Sequence, residues 1–163
     1  MTRHDALPRL NHAQLSSELT QKLVEFSTAV AKSVDATLMH LVEIRASQLN
    51  GCMLCLDMHI KQAKLHGERE LRLHHLAAWH ESPLFNAKER AALAWTEALT
   101  RIAPTGVSDE LYAEVREQFS EKEMSDLTYL VMAINAWNRA GVAFRAPPGS
   151  LDKAYGLDRA GLN

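Results

Sequence analysis

The apolar positions of the chain recur with a helical period almost throughout. After Asn11, residues Leu15, Leu19, Leu23, Phe26 and Val30 follow a 3.6-residue spacing, which predicts an amphipathic helix over residues 12 to 32. Asp35 is placed to cap a second helix, with Leu38, Leu41, Val42, Arg45 and Leu49 on neighbouring positions. A third run, free of Gly and Pro up to Leu65, begins behind Asn50 and Gly51, which sit where capping residues do, and Gly67 ends it as a left-handed cap. Leu71, His74 or His75, Ala78 and Trp79 read as a short helix that stops before Pro83.

The second half carries clearer punctuation. Asn86 with Glu89 and Ser120 with Glu123 are capping-box pairs. The first opens a helix whose Ala91, Ala92, Trp95, Ala98, Leu99 and Ile102 form an apolar stripe up to Pro104. The second opens a long helix through Leu127, Leu130, Val131, Ile134 and Trp137 to about Phe144, and Ser108 starts a helix between them that runs to about Phe119. With no strand-period segment of convincing length, the predicted fold class is all-α, with about seven helices in a single domain over residues 1 to 163. Residues 1 to 10, aperiodic and containing Pro8, are expected to form an arm. Residues 146 to 163, behind Pro147-Pro148-Gly149, are expected to form a tail that is mobile unless a partner subunit pins it.

Bulk properties remove several function classes. With 18 basic and 20 acidic residues the chain is nearly neutral, so nothing favours nucleic acid or an acidic membrane as partner. No apolar run approaches a spanning helix and the first ten residues lack the apolar core of a signal peptide, so a cytoplasmic location is expected. Both cysteines, Cys52 and Cys55, form a C-x-x-C pair. In a reducing compartment that spacing reads as redox-active or metal-binding rather than as a structural staple.

The pair is expected at a helix N-terminus, where free backbone N–H groups and the helix dipole favour thiolate and lower a cysteine pKa from about 8.5 towards neutrality. Cys52, Cys55 and His59 are three and four residues apart and share one helix face. His59 can therefore take the Cys55 proton or hold its thiolate as an ion pair. His40 and Glu43, on the preceding helix, are candidate relay groups, and Glu43 with Arg45 and Lys61 also reads as a solvated ion pair. His66, His74, His75 and His80 read as surface or interface residues, and Trp79, Trp95 and Trp137 as packing anchors. Met53 and Leu54 are candidate walls of an apolar pocket.

The segments LVEIRASQLNGCMLCLDMHIKQAKLHGE, LAAWHESPLFNAKERAALAWTEALTRI and INAWNRAGVAFR together resemble the AhpD-like alkylhydroperoxidases of the carboxymuconolactone decarboxylase superfamily, over roughly residues 35 to 145. The matching signature is S-x-x-N-x-C-x-x-C-x-x-x-H, carried by Ser47, Asn50, Cys52, Cys55 and His59. The resemblance implies an all-α homo-oligomer, commonly a trimer or hexamer, that needs no cofactor and reduces hydroperoxides through the cysteine pair. It assigns Cys55 as the peroxidatic cysteine, Cys52 as the resolving one and His59 as the relay. It also implies a dithiol electron donor, which in the family can be a lipoylated carrier protein. Two positions depart from the pattern. His40 stands where the family carries a glutamate twelve residues before the first cysteine, and Leu54 stands where the best-studied peroxidases carry a histidine. His40 or Glu43 is then the candidate for the glutamate's role.

Three other uses of the cluster compete: a thiol redox sensor without turnover, half of a zinc site with His59 and then His40 or His66 as further ligands, and decarboxylase chemistry. Structural zinc more often draws on two separated pairs of ligands, and work on a lactone acid does not require C-x-x-C.

Overall fold

In the computed structural model, which describes residues 8–162, nine α-helices and two short 3-10 helices follow one another with no strand among the described residues. They are α1 (His12–Leu15), α2 (Ser17–Ala31), α3 (Ala36–Asn50), α4 (Met53–Leu65), α5 (Glu70–His75), α6 (Ala87–Thr100), α7 (Asp109–Gln118), α8 (Glu121–Phe144) and α9 (Asp152–Tyr155). The 3-10 turns are Leu76–Ala78, continuing α5, and Leu157–Ala160 near the C-terminus. None of these helices is long and apolar enough to cross a membrane.

Local chemistry sets most helix starts. Asp35 accepts a hydrogen bond from the Leu38 N–H at 3.1 Å, Ser108 does the same for Leu111, and Asn86/Glu89 and Ser120/Glu123 form complete capping boxes. Asn50 and Gly51 do not cap α4. Gly51, at φ 66°, closes α3 in the left-handed conformation, and Cys52 is the N-cap of α4.

The first predicted helix is two. Ser16, at φ −122° and ψ 53°, breaks it, and Leu15 and Leu19 are each 72% exposed while Val30 is 7% exposed. Only the C-terminal half of α2 reaches the core, where Phe26 and Val30 pack beside Leu38 and Leu130. A periodic stripe shows which face could be buried; it does not say how far the neighbouring helix extends along it.

α3 is the central helix and packs against α4, α6 and α8. Surrounded in this way, it buries Leu41, Val42, Ile44 and Ala46 completely, each larger side chain contributing about 1.5–3 kcal/mol. One cluster joins α3 to α2, α6, α7 and α8 through Val42, Trp95, Val115 and Leu127; a second joins α3 to α4, α6 and the Leu76 turn through Leu41, Ile44, Ala63 and Trp79. A small third cluster, Ala46, Cys52, Cys55 and Ile134, lies where α3, α4 and α8 meet.

Both ends of the described chain lie over that meeting point. The Arg9 backbone N–H and guanidinium donate to the carbonyls of Phe144 and Ala143, satisfying the C-terminal end of α8. Residues 1–7 of the expected arm lie outside the described residues. The expected mobile tail is instead folded back onto α4. Leu157 and Ala160 are buried, the Gly149 N–H donates to Asp57 at 2.9 Å, and the Lys61 ammonium bridges Asp57 at 2.9 Å and Asp152 at 2.7 Å. The hydrogen bond from Lys61 to Asp152 is the largest influence on the lysine, outweighing its burial and raising its pKa with help from Asp57.

Lys61→Met is expected to release the tail from α4 while leaving the helical core intact. Limited trypsin digestion at Lys153 and Arg159 should then run faster than in the parent protein, with an unchanged far-ultraviolet circular dichroism spectrum. Equal cleavage rates would mean that Leu157 and Ala160 hold the tail without the ion pair.

Candidate functional site

The Asn50-Gly51 turn reverses the chain so that α4 starts beside the end of α3. The Cys52 N–H returns to the Ser47 carbonyl at 3.1 Å, and the Cys52 Sγ accepts from the Cys55 N–H at 3.4 Å. The cysteines are joined as a disulfide with their Cα atoms 5.4 Å apart, Cys52 as the N-cap of α4 and Cys55 in its first turn. They are almost fully buried, Cys52 at 1% and Cys55 at 4% exposure.

A chain of amides fixes the turn. Asn50 Nδ2 donates to Asn138 Oδ1 at 2.8 Å and to Asn135 Oδ1 at 3.1 Å; Asn138 Nδ2 donates to Ser47 Oγ at 3.0 Å, and Ser47 Oγ donates to the Glu43 carbonyl at 2.7 Å. Asn135 Nδ2 reaches Thr100 Oγ1 at 2.9 Å, so α3, α6 and α8 are tied together behind the disulfide. Leaving one such buried group unpaired costs about 1–3 kcal/mol. One turn beyond Asn138, α8 carries Gly141 directly against the sulfurs. A methyl group built there would lie 2.6 Å from Cys52 Sγ and 3.4 Å from Cys55 Sγ.

On the α3 side lies an acid–base group. His59 Nδ1 is 3.1 Å from Glu43 Oε2 and 2.9 Å from Gln62 Oε1. A carboxylate only accepts, so Nδ1 carries a proton and Nε2 is the nitrogen free for exchange, with no hydrogen-bond partner among the described residues. Burial works against charging the ring, but the Glu43 charge and the hydrogen bonds to Glu43 and Gln62 outweigh it, and His59 titrates above the ordinary imidazole value.

His40 behaves differently. Its Nε2 is 3.2 Å from His66 Nδ1, which is also 2.8 Å from the Gln62 carbonyl. Since that carbonyl can only accept, His66 Nδ1 is the donor and the proton of neutral His40 sits on Nδ1. That atom has no hydrogen-bond partner and lies 3.9 Å from Glu43. Burial lowers the pKa of His40 despite the nearby Glu43 charge. Glu43, rather than His40, thus meets His59. The alternative pairing of Glu43 with Arg45 and Lys61 is not formed: Arg45 pairs with Glu97, and Lys61 with Asp57 and Asp152.

On the opposite side is a cavity of about 440 Å³ walled by α4, α8, the start of the described chain and the folded-back tail. Cys55 lines it and Cys52 does not. Leu54, Met58, Trp137 and Phe144 give it an apolar wall, and among the described residues no Asp, Glu, Lys or Arg contributes. Leu54 takes its expected place, whereas Met53 is 60% exposed outside. Trp79 and Trp95 are core residues as expected, but Trp137 is a cavity wall, its Nε1 donating to Ser27 Oγ at 2.8 Å. Among the described residues no group of three or more His, Cys, Asp or Glu side chains is disposed to hold a metal ion.

Sequence reasoning brought Cys52, Cys55 and His59 together. It missed Gln62, Asn135, Trp137, Asn138 and Gly141. The available signal was the run INAWNRAG, which sets two asparagines three apart, and a glycine one turn on, directly behind the apolar stretch LVMAI.

Comparison with known proteins agrees with this architecture. Residues 17–98 match the family described as the Carboxymuconolactone decarboxylase family. The uncharacterized protein YdfG of Bacillus subtilis is 42% identical over 111 residues, 68% of this chain and 76% of that protein. A crystal structure of a protein of unknown function from Agrobacterium tumefaciens, provisionally described as an antioxidant defence protein AhpD, superposes with a TM-score of 0.84 at 36% identity. The match covers 87% of this chain and 98% of that one. The debrominase Bmp8 has the same fold, with a TM-score of 0.75 at 19% identity, over 90% of this chain and 79% of that one.

Because its pKa is raised on folding, the His59–Glu43 contact stabilises the fold fully below the ordinary imidazole value, and that contribution is lost as the pH rises through the His59 midpoint. In a nuclear magnetic resonance titration, His59 should titrate above an ordinary imidazole in the parent protein and move down in Glu43→Gln. An unmoved midpoint would show that Glu43 does not set it.

Proposed function

The chain belongs to the carboxymuconolactone decarboxylase family and carries its AhpD-like helical fold, and from that premise we propose that it is a thiol-dependent peroxidase that reduces organic hydroperoxides. The observation that carries the reading is the position of Cys55, at the start of a helix, open to an apolar cavity and one turn from the His59–Glu43 couple.

In the reduced protein the helix N-terminus stabilises a Cys55 thiolate. That thiolate attacks the distal peroxide oxygen and the O–O bond breaks. Cys55 becomes a sulfenic acid, and the departing alkoxide is protonated by His59 or by a water that relays its proton, since His59 lies across α4 from the cavity wall. Cys52, three residues away, attacks the sulfenic sulfur, expelling hydroxide, which is protonated to water, and forming the disulfide. Glu43 keeps His59 charged for the first step; His40, neutral and in contact with His66, stands beside Glu43 without a hydrogen bond to it and does not itself donate. The apolar wall favours a peroxide with a hydrocarbon body. A dithiol donor, of which a lipoylated protein is one candidate, returns the pair to the reduced state.

We also infer a homo-oligomer, a trimer or hexamer. Leu15, Leu19, Tyr129, Met132 and Val142 each expose between 48% and 72% of their surface on or beside α2 and α8, more apolar area than a monomer needs to leave in water.

The chemical test is a time course of reduced, metal-free protein with one equivalent of cumene hydroperoxide, following free thiols and intact mass. Both thiols should disappear with loss of two hydrogens. Cys55→Ser should not react, Cys52→Ser should stop at the sulfenic acid, and His59→Ala should react roughly a hundredfold more slowly. Thiols that survive for many minutes would overturn the reading, and a single oxidation that no dithiol reverses would mark a sensor. Sedimentation at micromolar concentration should show more than one copy, and a monomer there would remove the oligomer.

A further inference from the structure

The two sulfurs of the disulfide are not equivalent. Cys52 Sγ is covered by the backbone of α8 at Gly141, so closely that even a methyl group there would stand 2.6 Å from it, and Cys52 has no part in the cavity wall. Cys55 Sγ would stand 3.4 Å from the same methyl group, and Cys55 lines the cavity. The two differ again as leaving groups. Cys52 is the N-cap of α4 and its Sγ already accepts the Cys55 N–H, so negative charge that develops on it meets the positive end of the helix. Thiol–disulfide exchange is governed by access to the attacked sulfur and by the stability of the departing thiolate. Here both favour the same direction.

We propose that reduction of the pair has a fixed direction: the donor thiolate enters through the apolar cavity and attacks Cys55, and Cys52 departs. Gly141 is the positioning residue that imposes this by closing α8 over Cys52. The donor sulfur bonds to Cys55 Sγ, the Cys52–Cys55 bond breaks, and its electron pair leaves on Cys52 Sγ. The second thiol of the dithiol gives its proton to the Cys52 thiolate and attacks the donor sulfur held in the mixed disulfide. The bond to Cys55 breaks, its electron pair stays on Cys55 as a thiolate, and the donor departs as a cyclic disulfide, oxidised by two electrons. Cys55 thus receives both the oxidant and the reductant, and Cys52 is never exposed to either.

The inference rests on the disulfide-exchange part of the proposed function, and its test uses no peroxide, so a protein inert towards peroxides leaves it intact. Oxidised protein is mixed with 2-mercaptoethanol, quenched in acid, blocked with N-ethylmaleimide and mapped by peptide mass spectrometry. The mercaptoethanol adduct should sit on Cys55 and the maleimide on Cys52. In parallel, the lone thiol of Cys52→Ser should react with 5,5′-dithiobis(2-nitrobenzoate) at least about tenfold faster than the lone thiol of Cys55→Ser. An adduct predominantly on Cys52, or equal rates for the two lone thiols, would overturn the proposal. The adduct map on the unaltered protein decides the matter where a serine variant does not fold.

Discussion

The structure depends on one close approach, that of α8 to the first turn of α4, with two sulfurs between the helices and no side chain at Gly141 to hold them apart. Protein interiors are packed tightly enough that a surplus methyl group there has nowhere to go. The approach is made possible by the amides one and two turns back, because Asn135 and Asn138 hold the Asn50 turn at a fixed distance from α8. The polar network and the glycine are therefore one device. The amides set the separation, and the glycine allows it to be small.

The same arrangement divides the surroundings of α4 into two environments. Towards α3 it meets ionisable groups, Glu43 against His59, with His40 and His66 beyond. Towards α8 its first turn meets the mainly apolar cavity, and farther along it meets the tail through the Lys61–Asp152 ion pair. Glu43 lies between two imidazoles and stands closer to one of them, and the two rings are driven in opposite directions. His59 gains charge because carboxylate and amide oxygens converge on one nitrogen, whereas burial dominates for His40, whose facing nitrogen has no partner. His40 and Glu43, three positions apart on α3, thus hold different offices: the carboxylate meets His59 and the imidazole meets His66.

What could be read from the sequence was what is decided within one turn. The caps at Asp35, Asn86, Ser108 and Ser120, and the placement of Cys52, Cys55 and His59 on one helix start, rest on residues three or four apart. The choice between His40 and Glu43 could not be read in this way, since both lie on α3 within a turn of each other and which of them meets His59 depends on how α4 crosses. The tail escaped for a related reason. Pro147-Pro148-Gly149 does end α8, but the contacts that hold the last residues, Lys61 with Asp152 and Asp57 with Gly149, join residues about ninety positions apart, and nothing local announces them. The break at Ser16 was hidden because the apolar spacing continues through it although burial does not.

The apolar cavity imposes a condition on any chemistry at Cys55. With no Asp, Glu, Lys or Arg among its described lining residues, it offers little to a charge that forms inside it, and such a charge would be costly without a partner. On the protein side of the sulfur lie the N–H groups at the start of α4 and the imidazole one turn on, while the cavity wall contributes His12 and a few neutral polar side chains. Charge on sulfur is therefore favoured close to that helix start. An apolar wall on the opposite side strengthens such interactions by lowering the local polarity. The cavity wall beside Cys55 is formed in part by the folded-back tail, through Pro147, Leu151 and Tyr155, so the position of the tail becomes part of the candidate site.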